Sequence, residues 1–241
     1  MFRLALIFSC VFIWGGSSAF AKTYKPINLI EVFTSQGCSS CPPAEDWNYQ
    51  LKAHPSKFET FVTVEFHVDY WDYLGWKDRF SQSIFSKRQR EYARQGYVNV
   101  VATPTVLLNG SPYRDWRRSK HPPKDKQRFP GLEISREGDI LKVSWQGNAT
   151  GSRSFDLWGS LLSGSNKDRI SKGENAGRTL HHHHAALGLD KSKLVYNKKS
   201  QRYEGKIKLV RSEASVPAEA FALWVSPKDK NGPIVAAGGP W

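Results

Sequence analysis

Apolar residues follow two different rhythms along this chain. Residues 27–33 form an apolar run broken only by Asn28 and Glu31. Residues 58–68 repeat that texture, with Phe61, Val62, Val64, Phe66 and Val68. Runs of this length predict two mostly buried strands. Between them, a helix is predicted to open at Cys38 and to end at His54-Pro55. Pro42 and Pro43 are tolerated in its first turn, where the amides have no intrahelical acceptor. A second helix is predicted over residues 78–95, with Phe80, Ile84, Phe85 and Tyr92 for one face and Gly96 as its cap. Residues 98–101 and 105–108 read as short strands around Thr103-Pro104, and Asn109-Gly110 is a hairpin signal. The order strand, helix, strand, helix, strand, turn fits a parallel pair followed by an antiparallel hairpin.

The texture then changes. Residues 111–130 are basic and carry Pro112, Pro122, Pro123 and Pro130, which predicts an irregular linker. Beyond it, strand candidates recur at 132–135, 140–145, 155–162, 178–186, 193–196, 202–210, 220–225 and 234–237. Turn signals at Glu137-Gly138-Asp139 and Asn231-Gly232 separate some of them. Short strands with regular turns predict an all-β, β-sandwich-like domain.

The first 21 residues differ again. Arg3 precedes an apolar run from Leu4 to Trp14, then Gly15, Gly16, Ser17 and Ser18, then the small-x-small site Ala19-Phe20-Ala21. This pattern predicts a secretory signal with Lys22 as the mature N-terminus, with an uncleaved anchor or a lipoprotein as the alternative. The run is short for a membrane span, and no other segment is long and apolar enough. The expected organisation is a signal peptide at 1–21, an α/β domain at 22–115, the linker at 116–130 and a β-rich domain at 131–241. The expected location is periplasmic or secreted, with no integral membrane segment after cleavage.

Composition narrows the function classes. Aromatic residues make up 13% of the 241-residue chain, which argues against disorder. The net charge of +13 is spread over many positions and reads as a solvated basic surface, and export argues against nucleic acid as a partner. Cys10 leaves with the signal, so the mature chain holds Cys38 and Cys41. In an oxidising compartment they can form a disulfide, Cys38–Cys41. Its loop is too short to add much chain-entropy stability, so reactivity or metal binding explains the pair better.

Cys38-Ser39-Ser40-Cys41 at a helix start, just after a buried strand, has a mechanical meaning. Helix-end amides and the helix dipole favour the Cys38 thiolate, the attacking species. Cys41, one turn on, would resolve the mixed disulfide. Thr103-Pro104 is placed where a thioredoxin-like fold sets a cis-proline, beside the sulfurs, as a backbone edge for an extended substrate. Glu31 interrupts its strand beneath the pair as a candidate base, with a strand-end carboxylate held by lysine or arginine as the alternative. Trp71 and Trp76, with Tyr70 and Tyr73, are candidates for a peptide groove or for core packing. His67 is a candidate metal or proton-transfer residue, or a hydrogen-bonded structural histidine. Residues 181–184 are four consecutive histidines, alternating faces if they form a strand, able to bind copper, nickel or zinc or to serve as a polar edge strand. Glu174, Asn175 and Arg178 brace the loop beside the redox pair, or form a turn before a strand.

The run Glu31-Val-Phe-Thr-Ser-Gln-Gly-Cys-Ser-Ser-Cys-Pro-Pro-Ala-Glu45 resembles the signature of a secreted bacterial family known as domain of unknown function 1223. His67-Val-Asp-Tyr-Trp-Asp72, Gly75-Trp76-Lys77-Asp78, Arg88-Gln89-Arg90, Thr103-Pro104, Asn109-Gly110 and Gly173-Glu-Asn-Ala-Gly-Arg178 resemble it in the same order. The resemblance implies an α/β thioredoxin-like domain followed by the β-rich domain. The proline-rich 111–130 stretch leaves little room for the helix that usually closes a thioredoxin-like domain, so the β-rich half is expected to cover that face.

The expected function is an exported thiol–disulfide oxidoreductase acting on protein or small-thiol substrates with an unidentified redox partner. Cys38 attacks, Cys41 resolves, and no external cofactor is required. One alternative is a periplasmic copper-handling protein using Cys38, Cys41 and His67. Another is a non-catalytic binding module whose cysteines stay bridged.

Overall fold

The computed structural model describes residues 21–119, 121–122, 129–147, 154–212 and 216–241. The signal-peptide reading therefore lies outside the described residues apart from Ala21, as do positions 120 and 123–128 of the linker reading. The first half contains β1 (Lys22–Tyr24), β2 (Asn28–Thr34), α1 (Pro42–Gln50), β3 (Phe61–His67), α2 (Ser83–Arg94), β4 (Thr105–Leu108) and β5 (Ser111–Pro112). The second contains β6 (Leu132–Glu137), β7 (Ile140–Trp145), β8 (Ser154–Ser163), β9 (Ser165–Arg169), β10 (Thr179–His183), β11 (Asp190–Asn197), β12 (Arg202–Lys208), β13 (Ala218–Pro227) and β14 (Val235–Pro240).

The largest sheet is antiparallel throughout, in the order β1-β6-β7-β12-β11-β8-β13-β14. Its two edges nearly meet. Just past β1, the Ile27 N–H donates to the Ala236 carbonyl of β14 at 3.0 Å. The sheet is thus a nearly closed barrel, which leaves little unpaired edge. Strand alternation then sorts the side chains. Trp145, Phe155, Leu157, Phe221, Leu223 and Val225 fill the interior. Leu162, Ala220, Ala222, Trp224 and Ala236 face outward into a second core.

That second core is shared with the first half of the chain. A four-stranded sheet, β3-β2-β4-β5, has β2 parallel to β3 and antiparallel to β4. One face presents Leu29, Phe33, Val62, Val64 and Phe66 to the barrel wall, with Phe85 and Tyr92 of α2 between. The other presents Ile30 and Val32 to Ala44, Trp47 and Leu51 around α1. Burying each such side chain contributes about 1.5–3 kcal/mol.

This overturns the expected fold class, an α/β thioredoxin-like domain followed by a β-sandwich-like domain. The chain is mostly β, organised on the nearly closed eight-stranded barrel-like sheet. The reason lies in pairings that local pattern does not reveal. The N-terminal β1, three residues long and polar, pairs with β6, at Lys22↔Ile134 and Tyr24↔Leu132. The outward face of β8, β13 and β14 is apolar, with Leu162 and Trp224 among alanines, so the four-stranded sheet packs on it and buries it.

Smaller differences have local causes. The first helix starts at Pro42, with Cys41 as its N-cap. The second starts at Ser83, because the Asp78 carboxylate accepts the Phe80 and Gln36 amides instead of leading the helix. Residues 98–101 form no strand. Asn109 (φ 49°) and Gly110 (φ 82°) make the tight hairpin turn, both with positive φ, and the Asn109 side chain also accepts the Leu29 N–H. Trp116, at the start of the linker reading, is buried against Trp47, whose indole N–H donates to the Ser119 carbonyl.

Candidate functional site

Cys38 and Cys41 form a disulfide between the end of β2 and the start of α1, with Cα atoms 5.4 Å apart. Both sulfur-bearing residues are buried, at 1% and 0% exposure, while Ser39 and Ser40 between them are exposed. The Cys38 sulfur lies 3.8 Å from the Thr103 carbonyl oxygen, which also accepts the Ser40 hydroxyl at 3.4 Å. The Thr103–Pro104 peptide is cis. The Trp71 indole N–H donates to the Thr103 hydroxyl at 2.8 Å, so Trp71 stands beside the pair. Trp76 does something else: its indole N–H donates to the Gln36 side-chain oxygen at 2.8 Å.

The turn from Gly173 to Arg178 closes over the pair from the other half of the chain. The Asn175 amide donates to the carbonyls of Gln36 and Cys38, each at 2.9 Å. Glu174 accepts the Ser39 N–H at 2.9 Å, and hydrogen bonding from the Ser39 side chain and then its backbone holds the carboxyl below the usual range. Arg178 donates to the Asn175 oxygen and fixes the amide's orientation.

Glu31 lies on the barrel-facing side of β2, beside Leu29 and Phe33. Arg88 donates to one carboxylate oxygen at 2.6 Å and the Tyr92 hydroxyl to the other at 2.5 Å. Both oxygens are thus committed to a buried ion pair, the alternative foreseen for this residue, although the cation comes from α2.

A second polar cluster is buried between β3, α1 and β10. The His67 Nδ1 and Asp78 Oδ2 atoms are 2.6 Å apart. Burial alone would lower the His67 pKa, but the charge and hydrogen bond of Asp78 outweigh it and hold it well above the ordinary value. Glu45 accepts the Thr34 hydroxyl at 2.6 Å and is pushed up to about 8 by burial and then by Glu65. Burial also raises Glu65. Burial, and then the charge on His67, depress His182 well below the ordinary value. The Gln36 amide, with its oxygen held by Trp76, contacts His182 Nε2 at 3.1 Å and donates to Asp168 at 2.9 Å. Arg79 pairs with Asp168 at the surface.

The four histidines take different surroundings, although the rings of His183 and His184 stack at 3.9 Å. His181 stacks on Tyr49, His182 enters the cluster, and His183 lies near the Ser165 hydroxyl. His184 leaves the strand at φ 59° and stacks on Phe58. Of the residues named for the copper alternative, the two sulfurs are bonded to each other and the His67 Nδ1 is held by Asp78. Sequence reasoning missed Glu45, Glu65, Asp78 and Gln36. The same signal that singled out Glu31, a charge inside an apolar strand, also marks Glu65.

Two solved structures share the fold. The protein AGR_C_4864 from Agrobacterium tumefaciens is 20% identical, with 90% of this chain and 94% of that chain covered at a TM-score of 0.58. HBP35 of Porphyromonas gingivalis is 12% identical, with 90% and 75% covered at a TM-score of 0.55. No curated protein matches the chain. The family described as "Protein of unknown function (DUF1223)" matches residues 29–226, and the chain belongs to it.

Proposed function

We propose that this protein is an exported thiol–disulfide oxidoreductase working through Cys38 and Cys41. The observation that carries the reading is the bridged pair at the N-terminus of α1, with Cys41 as the cap residue. A Cys38 thiolate released there is stabilised by the helix-end amides and dipole. In the oxidising direction a substrate thiolate attacks the Cys38 sulfur. The Cys38–Cys41 bond breaks, and the Cys41 thiolate leaves and takes up a proton. A second substrate thiolate then attacks the substrate sulfur of the mixed disulfide and expels Cys38. The substrate gains a disulfide and the pair gains two electrons, which an external redox partner removes. The reducing direction is the reverse. The secretory pattern of Arg3, the apolar run from Leu4 to Trp14 and Ala19-Phe20-Ala21 supports an oxidising compartment.

Substrate access runs past Ser39, Ser40 and the Thr103 carbonyl edge. A cleft lined by Pro104, Thr105, Tyr113, Arg114 and Arg117 continues from that edge. One observation favours the second reading, a binding module with a permanent bridge: both cysteines are buried. Redox titration in glutathione and dithiothreitol buffers decides between them. A reversible couple between about −120 and −270 mV supports the oxidoreductase. A couple below about −300 mV, with an unreactive sulfur after reduction, supports the binding module.

A further inference from the structure

The buried cluster beyond the disulfide has a feature that hydrogen bonding does not account for. His67 Nε2, His182 Nδ1, Glu65 Oε1 and Glu45 Oε2 are all buried without a hydrogen-bond partner. Unpaired buried polar atoms are costly, and native structures hold few of them. Here the side chains that carry them gather in one place, with Glu65 Oε2 also accepting the His183 N–H at 3.3 Å. His67 Nε2 is 3.8 Å from Glu65 Oε2. His182 Nδ1 is 3.9 Å from the same oxygen and 4.0 Å from Glu45 Oε2. One donor atom each from Glu65, His67 and His182 lie within 4.8 Å of one another.

The geometry points to a metal site, in which His67 Nε2, His182 Nδ1 and a Glu65 oxygen ligate one divalent transition ion, with Glu45 as the fourth ligand. Two imidazoles and carboxylates form a borderline donor set suited to zinc. Tetrahedral zinc with bonds of about 2.0–2.2 Å sets its donor atoms about 3.3–3.6 Å apart. The separations of 3.8–4.0 Å, and the 4.8 Å that bounds the donors of Glu65, His67 and His182, are wider, so the side chains move inward when the ion binds.

The surroundings supply the outer groups such a site uses. Asp78 holds His67 Nδ1 and turns Nε2 toward the other donors, the carboxylate–histidine arrangement that orients metal ligands. Thr34 holds the far oxygen of Glu45. His182 must carry its ring proton on Nε2 when Nδ1 ligates. Asp168, 3.8 Å from Nε2, is the acceptor for that proton once the Gln36 amide yields. Asp168 and the partly exposed Arg79 also form the side of the cluster nearest solvent, the entry route for an ion.

The ligand set excludes both cysteines, which separates this site from the redox chemistry. The test titrates Zn2+ into the chelator-treated, oxidised full chain against a chromophoric competitor. One ion per chain is expected, in the unaltered protein and equally in the Cys38→Ser/Cys41→Ser variant. Asp78→Asn is expected to weaken binding about 10–100-fold, and Glu65→Gln or His182→Gln by no less. Burial makes those two variants costly to folding, so a second measurement uses the unaltered chain. Its Co2+ form is expected to show the visible bands of a tetrahedral nitrogen–oxygen site without a thiolate charge-transfer band. Failure of the folded protein to take up Zn2+ stoichiometrically overturns the proposal. So does binding that the double serine variant loses, or a thiolate band in the Co2+ spectrum.

Discussion

The side-chain amide of Asn175 donates to the carbonyl oxygen of Cys38 at 2.9 Å, across 137 positions of sequence. A turn in the second half of the chain therefore holds the backbone of the cysteine pair in the first. Asn175→Ala leaves the Cys38 and Gln36 carbonyls without that donor, a cost of about 1–3 kcal/mol. Reduction of the disulfide by dithiothreitol should then speed up about tenfold or more, since 1.4 kcal/mol is a factor of ten. Stopped-flow or quenched alkylation reads the rate. An unchanged rate would mean that the turn does not gate the sulfurs.

Glu31 and Arg88 form a buried pair, and truncating one partner strands the other. Glu31→Ala should cost about 3–5 kcal/mol in denaturant unfolding. The double change Glu31→Leu/Arg88→Met should cost less than the sum of the singles. Glu31→Gln should leave the pH profile of Cys38 alkylation in place, because both carboxylate oxygens already serve Arg88 and Tyr92. A shifted profile would restore Glu31 as a base for the pair.

Tyr92 gives an alkaline signature. Burial raises its pKa well above the ordinary 10; Arg88 opposes the shift and Glu31 adds to it. The unfolded chain loses this proton near pH 10 while the folded chain keeps it. The stabilising difference is thus fully present below about pH 10 and is lost as pH rises toward the folded value. Stability should fall by about 1.4 kcal/mol per pH unit above 10 on account of this residue. Denaturant midpoints across pH 9–11.5 should show a shallower slope in Tyr92→Phe; an identical slope contradicts the assignment.

Gly37 sits where a Cβ would lie 3.0 Å from the Trp71 Cβ and 3.2 Å from the Trp71 carbonyl oxygen. Gly37→Ala should cost about 1–3 kcal/mol through overpacking. It should also displace the indole from the Thr103 hydroxyl, which Trp fluorescence and the kinetics of peptide-thiol exchange would register together. Loss of stability without any change in exchange would separate Trp71 from the site.

Gly131 tests the closure of the barrel. A Cβ there would come 1.9 Å from the Tyr24 carbonyl oxygen, a backbone atom that cannot swing away. Gly131→Ala should destabilise the chain by about 3 kcal/mol, the upper end of overpacking costs. Hydrogen exchange should rise at β1 and β6. Wild-type exchange in those strands would show that β1 is dispensable to the sheet.

Legibility followed the range of each interaction. β6, β7, β8 and β13 were readable because apolar residues and turn residues lie in register within a few positions. β1 and β9 were not, since Lys22-Thr23-Tyr24 and Ser165-Asn-Lys-Asp-Arg169 carry no apolar rhythm and become strands only through the partners they meet. Burial on both faces of β13 reads locally as one apolar run, so the sequence does not show that its two faces serve two different cores.

The chain's own order of residues determined the cysteine pair at the mouth of α1, Pro42 and Pro43 that follow it, the Asn109-Gly110 turn and most strands, because each depends on neighbours close in sequence. Tertiary structure alone decided that the barrel closes through Ile27 and Ala236. It alone decided that Arg88 and Tyr92 claim Glu31, that Asn175 covers Cys38, and that Glu45, Glu65, His67 and His182 converge. Gln36 and His182 meet across 146 positions. Contacts of that reach are set by how whole sheets stack and in which register, and no short window of residues encodes them.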